Sequence, residues 1–407
     1  MVKSSVKKIV FGSLAVLAVS VFLATINNGN SANAADGDSG PGYYGNVFLD
    51  SILPDKNYYH PHNSTSPDGT KMFVSINKAD KPYGKTSGVI DLYLLDAVKM
   101  SQGEVVKLLG PVSIGSAETT PKNKVFRSTW TADGKRIMVS GGDRFWVIDA
   151  ADLKPLNGVE GNPDLLPGTK GKWHHNHDAL PTTDGKYVLL TLRTKPHSGD
   201  DADMMDGEIK LYDLAANKVV GAGLSVCNGC HTEQLDEIPN GAVLCGLDGK
   251  LEKQADGTYA GTVYVAGHGG HVAKADLTID PADKAKPISM KLDRLTVSDK
   301  KFADTGTNSD DTSQYKLHDV RLDGNGGLYW STFNTDAANK VHYGKIDLAT
   351  GEVVKDVAID VDARAIKPDL KAKGNRGSIY CGSALSKTAY MPMTMTNEAY
   401  ITVIPRF

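Results

Sequence analysis

Cysteine is scarce, with four in 407 residues. So few thiols cannot staple a chain of this length, so they read as site chemistry or one local bridge. Neither charge sign dominates. Lys and Arg number 45 against 48 Asp and Glu, interspersed, for a net charge of −3. That balance lacks the basic footprint of a nucleic-acid binder. No apolar run beyond the first residues approaches the length of a membrane span. No long segment carries a 3.6-residue apolar period. Nucleophile–base pairs, phosphate loops and paired catalytic carboxylates at recognisable spacing are also missing, which argues against a hydrolase.

What is present begins with an export signal. Lys3, Lys7 and Lys8 precede an apolar run from Ile9 to Ala24, and Ala32-Asn33-Ala34 offers a small-residue cleavage site. Residues 1–34 are expected to be a signal peptide, and residues 35–407 a single domain. The mature chain is then expected in an exported compartment, where disulfides and haem attachment are both chemically possible.

Short β-branched runs between Asp-Gly, Asn-Gly and Gly-Gly turns fill the remainder, and one unit repeats. His62 leads to Asp68-Gly69, a strand at Met72-Phe73-Val74 and a second strand ending on Asp96. Arg127 leads in the same way to Asp133-Gly134 and Asp149, and His177 to Asp184-Gly185 and Asp213. Later copies run from His231 to Asp276 and from His318 to Asp347, and the last closes at Tyr400-Ile401-Thr402-Val403-Ile404. The aspartates recur at intervals of 53 to 71 residues. Such a period, made only of strands, predicts an all-β fold, a β-propeller. Six units are visible. Seven blades are preferred, because Ala285–Phe302 carries further strand-like residues. The stretch before Asn57 is expected to supply the strand that closes the ring.

The sharpest motif is Cys227-Asn228-Gly229-Cys230-His231, the pattern of covalent c-type haem attachment, with both thiols on the vinyl groups and His231 as proximal ligand. The surroundings lack the helices and the apolar sixth-ligand segment of a cytochrome. A second reading places His62, His177, His231 and His318 at comparable unit starts, joined by His268 and His271 in Gly267-His268-Gly269-Gly270-His271, around an axial copper or zinc ion. A third is purely structural, with no cofactor in this chain. His60 and His342 read as surface residues, and Cys245 and Cys381 as buried small hydrophobes, with Cys245 on an inner strand. The loop Asp248–Tyr259 reads as a charged arm long enough to reach a neighbouring subunit, with Glu252 as its functional anion.

The repeat, with His60-Pro61-His62 and His174-His175-Asn176-His177-Asp178, resembles the histidine-lined propellers of nitrous oxide reductase and thiocyanate dehydrogenase. That resemblance implies a multinuclear copper site on the propeller axis. In length, export signal and lone-propeller architecture the chain resembles the β subunit of anammox hydrazine synthase. This second resemblance implies a seven-bladed subunit among haem-bearing partner subunits that condense nitric oxide with ammonium, in the periplasm or the anammoxosome lumen. It matches Asp248–Tyr259, with Glu252, to the loop that reaches a partner's active site. That family's β subunit lacks haem, so the Cys227–His231 motif departs from it.

Overall fold

The structure is a computed structural model that describes residues 45–53, 58–79, 86–116, 125–141, 144–161, 174–194, 204–231, 244–267, 272–295, 317–332, 340–360, 379–385, 389–394 and 400–405. The expected signal peptide, His268, His271 and the polar stretch 304–315 lie outside the described residues. Among the described residues, no helix is long and apolar enough to cross a membrane.

The described strands form six antiparallel sheets, five of four strands or more and one of three. Blade one is β2 (Tyr58–Thr65), β3 (Lys71–Ala79), β4 (Thr86–Asp96) and β5 (Lys107–Ile114), with the short helix α1 (Ala97–Met100) after β4. Blade two is β6 (Val125–Trp130), β7 (Arg136–Gly141) and β8 (Arg144–Asp149). Blade three is β9 (His174–Pro181), β10 (Tyr187–Thr194), β11 (Met204–Asp213) and β12 (Lys218–His231). Blade four is β13 (Leu244–Gly249), β14 (Glu252–Lys253), β15 (Tyr259–Gly267), β16 (Val272–Ile279) and β17 (Ile288–Leu295). Blade five is β18 (Leu317–Leu322), β19 (Gly327–Thr332), β20 (Lys340–Asp347) and β21 (Val353–Asp360). Blade six is β22 (Ile379–Leu385), β23 (Ala389–Thr394) and β24 (Tyr400–Pro405), with β1 (Gly45–Phe48) on the outer side of β24.

The first strands of successive blades, β2, β6, β9, β13, β18 and β22, each pack on the next, and β22 returns to β2. This closed ring makes the fold a β-propeller. The preferred count of seven gives way to six among the described residues. The strand-like residues from Ile288 to Leu295 pair with β16, Ile279 opposite Ile288 and Val272 opposite Leu295, and so form the outer strand of blade four. Ring closure is as expected from sequence: β1 pairs β24, with Gly45 opposite Val403 and Phe48 opposite Tyr400.

Side chains along a strand point alternately to its two faces, so each middle strand serves two inter-blade cores. On β3, Met72 and Val74 join Ile401 and Val403 on one side, while Phe73 meets Ile137 and Trp146 on the other. On β10, Val188 and Leu190 face Met138 and Phe145, and Leu189 faces Val263 and Ala273. All of these are buried, which is why the middle strands read as near-continuous apolar runs.

The repeat's aspartates have two structural jobs. Asp68, Asp133 and Asp184 accept from the backbone N–H two residues on, in turns whose glycines take positive φ. Asp96, Asp149, Asp213 and Asp347 end the third strands and accept from the first N–H groups beyond them. Asp276 departs from this, lying within β16 and accepting from Thr262 Oγ1.

Candidate functional site

The turns set a common register on the inner strands. His62, Arg127, Asp178 and Asp319 each stand seven residues before a turn glycine with positive φ, namely Gly69, Gly134, Gly185 and Gly326. Each also lies opposite a small hydroxyl residue on the second strand: Ser75, Ser140, Thr191 and Ser331. All four are almost wholly buried. The ring at this level is therefore mixed in charge. His62 is one member, and an arginine and two aspartates hold the equivalent places where other histidines were expected.

The charges meet across the channel. Arg127 Nε lies 3.6 Å from Asp178 Oδ2 on the next blade, and its Nη1 lies 3.4 Å from Asp319 Oδ2. Blades two and five face each other in a ring of six, so the guanidinium lies across the axis. Arg321 adds a second cation, 3.3 Å from Asp319 Oδ1 and 3.8 Å from Asp178 Oδ2. Burial pushes the Asp178 carboxyl up to about 6, outweighing the downward pull of Arg321 and Arg127. Burial likewise raises the carboxyl of Asp248, against Arg321. Such a lattice is costly to desolvate and persists because hydrogen bonds satisfy its members.

Those hydrogen bonds fasten three blades together. Asp178 accepts from its own neighbour Ala179 N at 2.8 Å and from Leu247 N on β13 at 2.8 Å. Arg321 donates to Leu247 O at 2.9 Å, and Asp248 accepts from Leu322 N at 2.7 Å. Leu247 is thus gripped through both backbone groups, from β9 on one side and β18 on the other. On the far side of the ring, Ser64 and Ser128 hydroxyls meet at 2.8 Å. Asn176, fully buried, donates to Arg144 O at 3.3 Å, while its Oδ1 has no hydrogen-bond partner among the described residues.

The expected metal residues are dispersed. His62 is on β2, and the backbones of His177 and His318 lie on β9 and β18, so these three belong to inner strands. His231 does not. It ends β12, the outermost strand of blade three, opposite Met204. The sequence cannot tell an inner from an outer strand start, and the unit expected to begin at His231 begins at β13. Cys245 is on an inner strand, as expected. His60, expected at the surface, belongs to the inner strand β2, and His342 is half-buried beside Asp356 at 2.8 Å. No group of three metal-ligating side chains forms among the described residues.

Cys227 and Cys230 share the outer strand with His231, opposite Gly207 and Met205. Three steps of β12 match two of β11 there, so a bulge shortens the span between the two cysteines. The motif therefore lies at the rim of the propeller, away from the channel mouth.

The arm is ordered by its own chain. Leu251 and Tyr259 are buried in the core between blades three and four. Leu251 O accepts from Thr183 N at 3.0 Å, and Tyr259 donates from its hydroxyl to Asp184 at 2.8 Å while its ring meets Tyr187 edge-on. Burial, with that hydrogen bond to Asp184, raises the Tyr259 phenol. Glu252 pairs with Ala260 in the hairpin and is exposed. A neighbouring subunit is thus not needed to fold the arm. Beside it opens a cleft of about 410 Å³ lined by Lys186, Tyr187, Lys253, Asp256, Tyr259 and Asp280.

Sequence reasoning missed Arg127, Asp178, Asp319 and Arg321 as a unit. The signal was the constant seven-residue offset to the turn glycine, which marks one level of the ring whatever residue type stands there.

No protein-family model and no characterised protein matches the chain. Among solved structures, it aligns over 89% of its length with 99% of a protein of unknown function from Dyadobacter fermentans, at 8% identity and TM-score 0.47. It aligns over 90% with all of a TolB-like protein from Agrobacterium tumefaciens, at 12% identity and TM-score 0.39. A chain of the mitotic checkpoint complex aligns over 93% of this chain and 99% of its own, at 12% identity and TM-score 0.41.

Proposed function

We propose that this chain is the exported propeller subunit of a multi-subunit redox metalloenzyme, carrying a c-type haem at its rim. The observation that carries the reading is the placement of Cys227, Cys230 and His231 on the outer strand of blade three. The donor set fits haem: two thiols for thioether bonds and an imidazole for the iron. Bound there, the haem supplies one-electron transfer. A rim position serves exchange with haem-bearing partner subunits better than a channel position does. The resemblance to the hydrazine synthase β subunit supplies the finer version, with small inorganic nitrogen substrates processed by the partners, in the periplasm or anammoxosome lumen. In that version Glu252 is an exposed anion on a rigid hairpin, which suits a group offered to a partner's site.

The test is an absorption spectrum of the denatured chain from its native host. A covalent haem band that disappears in Cys230→Ala supports the reading. A colourless chain with the mass of the unmodified mature polypeptide ends it, and copurification with haem proteins would then leave only the haem-free subunit.

A further inference from the structure

Every inner strand from β2 to β18 breaks register once against its second strand, and the skipped residues form a series. They are His60, Phe126, His177, Cys245 and His318. In blades three and five the skipped residue directly precedes the buried ring aspartate, Asp178 or Asp319. In blade four it stands two residues before Leu247, the residue held by Asp178 and Arg321. Bulges re-aim a strand locally and recur beside functional sites. Three adjacent inner strands therefore bring a histidine, a cysteine and a histidine to the same irregularity, at one level of the channel.

We propose that His177, Cys245 and His318 form a binding site for a borderline transition-metal ion, zinc or copper, on the channel side of blades three to five. Three arguments support it. The first is type: two imidazoles with one thiolate suit zinc and copper and disfavour magnesium and calcium. Three protein donors also leave a coordination position open for an external ligand. The second is rigidity. The strands are tied together within three residues of each skipped position, through Asp178 to Leu247 N and Arg321 to Leu247 O, and metal sites need such support. The third is composition. With 11 His and 4 Cys among 407 residues, chance places one of them at all three positions only about once in twenty thousand.

This site does not rest on the rim haem. It differs from the axial histidine set of the sequence reading by excluding His231 and by adding Cys245.

The experiment uses cobalt(II) as the probe, added to the folded, chelator-treated mature protein with Cys227 and Cys230 changed to Ser. A thiolate-to-cobalt charge-transfer band at one equivalent is expected. Cys245→Ser abolishes the band, and Cys381→Ser leaves it in place. His177→Ala and His318→Ala each weaken cobalt binding about tenfold or more. A band that survives Cys245→Ser, or no band at one equivalent, overturns the proposal. Should the rim double variant fail to fold, the intact chain is titrated, with Cys245→Ser as the difference measurement. Should Cys245→Ser itself fail to fold, the two histidine variants decide: unchanged cobalt affinity in both overturns the site.

Discussion

Arg127 holds together what no other described residue could. Its guanidinium faces Asp178 and Asp319, both fully buried, from opposite sides of the channel. Arg127→Met preserves the bulk and removes the charge, leaving two buried carboxylates opposed by Arg321 alone. The expected loss is about 3–5 kcal/mol in chemical denaturation, and adding Asp319→Asn should return part of it. The turn carboxylates act at the opposite end of the exposure scale. Asp68 accepts from Ser66, from Thr70 N and from the Thr70 hydroxyl, which lowers its carboxyl from 3.8 to about 2. A depressed folded pKa means stabilisation that is complete above about pH 4 and is lost as pH falls through about 2. After solvent screening this amounts to about 1 kcal/mol. Asp68→Asn should therefore lower the denaturation midpoint at pH 5, and the difference from the parent should vanish at pH 2. These turn aspartates were legible in the sequence because their chemistry is local. The axial lattice was not, because its members are far apart in the chain and differ in type.

The hairpin between β13 and β15 shows how an element's role changes once its packing is known. In the sequence it is a polar arm with three apolar residues. Two of them, Leu251 and Tyr259, prove to be core residues contributed to the interface with blade three. Removing the hairpin down to Asp248-Gly249 should therefore destabilise the propeller as well as any partner contact, and cannot serve as a clean test of partnership. Point changes separate the two. Leu251→Ala should cost about 2–4 kcal/mol by leaving a cavity. Glu252→Ala, at an exposed position, should leave stability within about 0.5 kcal/mol while lowering turnover of the native complex. Unchanged turnover would remove Glu252 from the proposed function. The same distinction explains the misplacement of His231. A histidine before a strand looks alike whether that strand is the first or fourth of its blade. Register skips are less visible still, since they exist only relative to a partner strand.

At the scale of the whole molecule, the open question is what closes the ring. The propeller class was legible because its repeat is a sequence period. The blade count was not, because an alternating apolar strand such as Ile288–Leu295 reads the same as the fourth strand of one blade or the first of another. Closure depends on β1, the described strand earliest in the chain, completing the last blade. Val47 is buried in the core that joins blades six and one, Phe48 packs on Tyr400 with ring centroids 5.1 Å apart, and Thr402 bonds Asn46 at 3.0 Å. Blade two shows what a three-stranded blade requires here: Leu156 N donates to Val147 O, and Asn157 donates to Phe145 O, so the segment after β8 covers its edge. Blade six has β1 in that place. Deleting residues 35–48 strips one side of β24 and removes Val47 from the core. At about 1.5–3 kcal/mol for each large apolar side chain, the expected loss is at least about 3 kcal/mol. Because the lost strand is short and local, a synthetic peptide carrying Gly45–Phe48 should restore the denaturation midpoint in a concentration-dependent way. An unchanged midpoint in the deletion variant would mean that the inner-strand lattice around Arg127 closes the ring by itself.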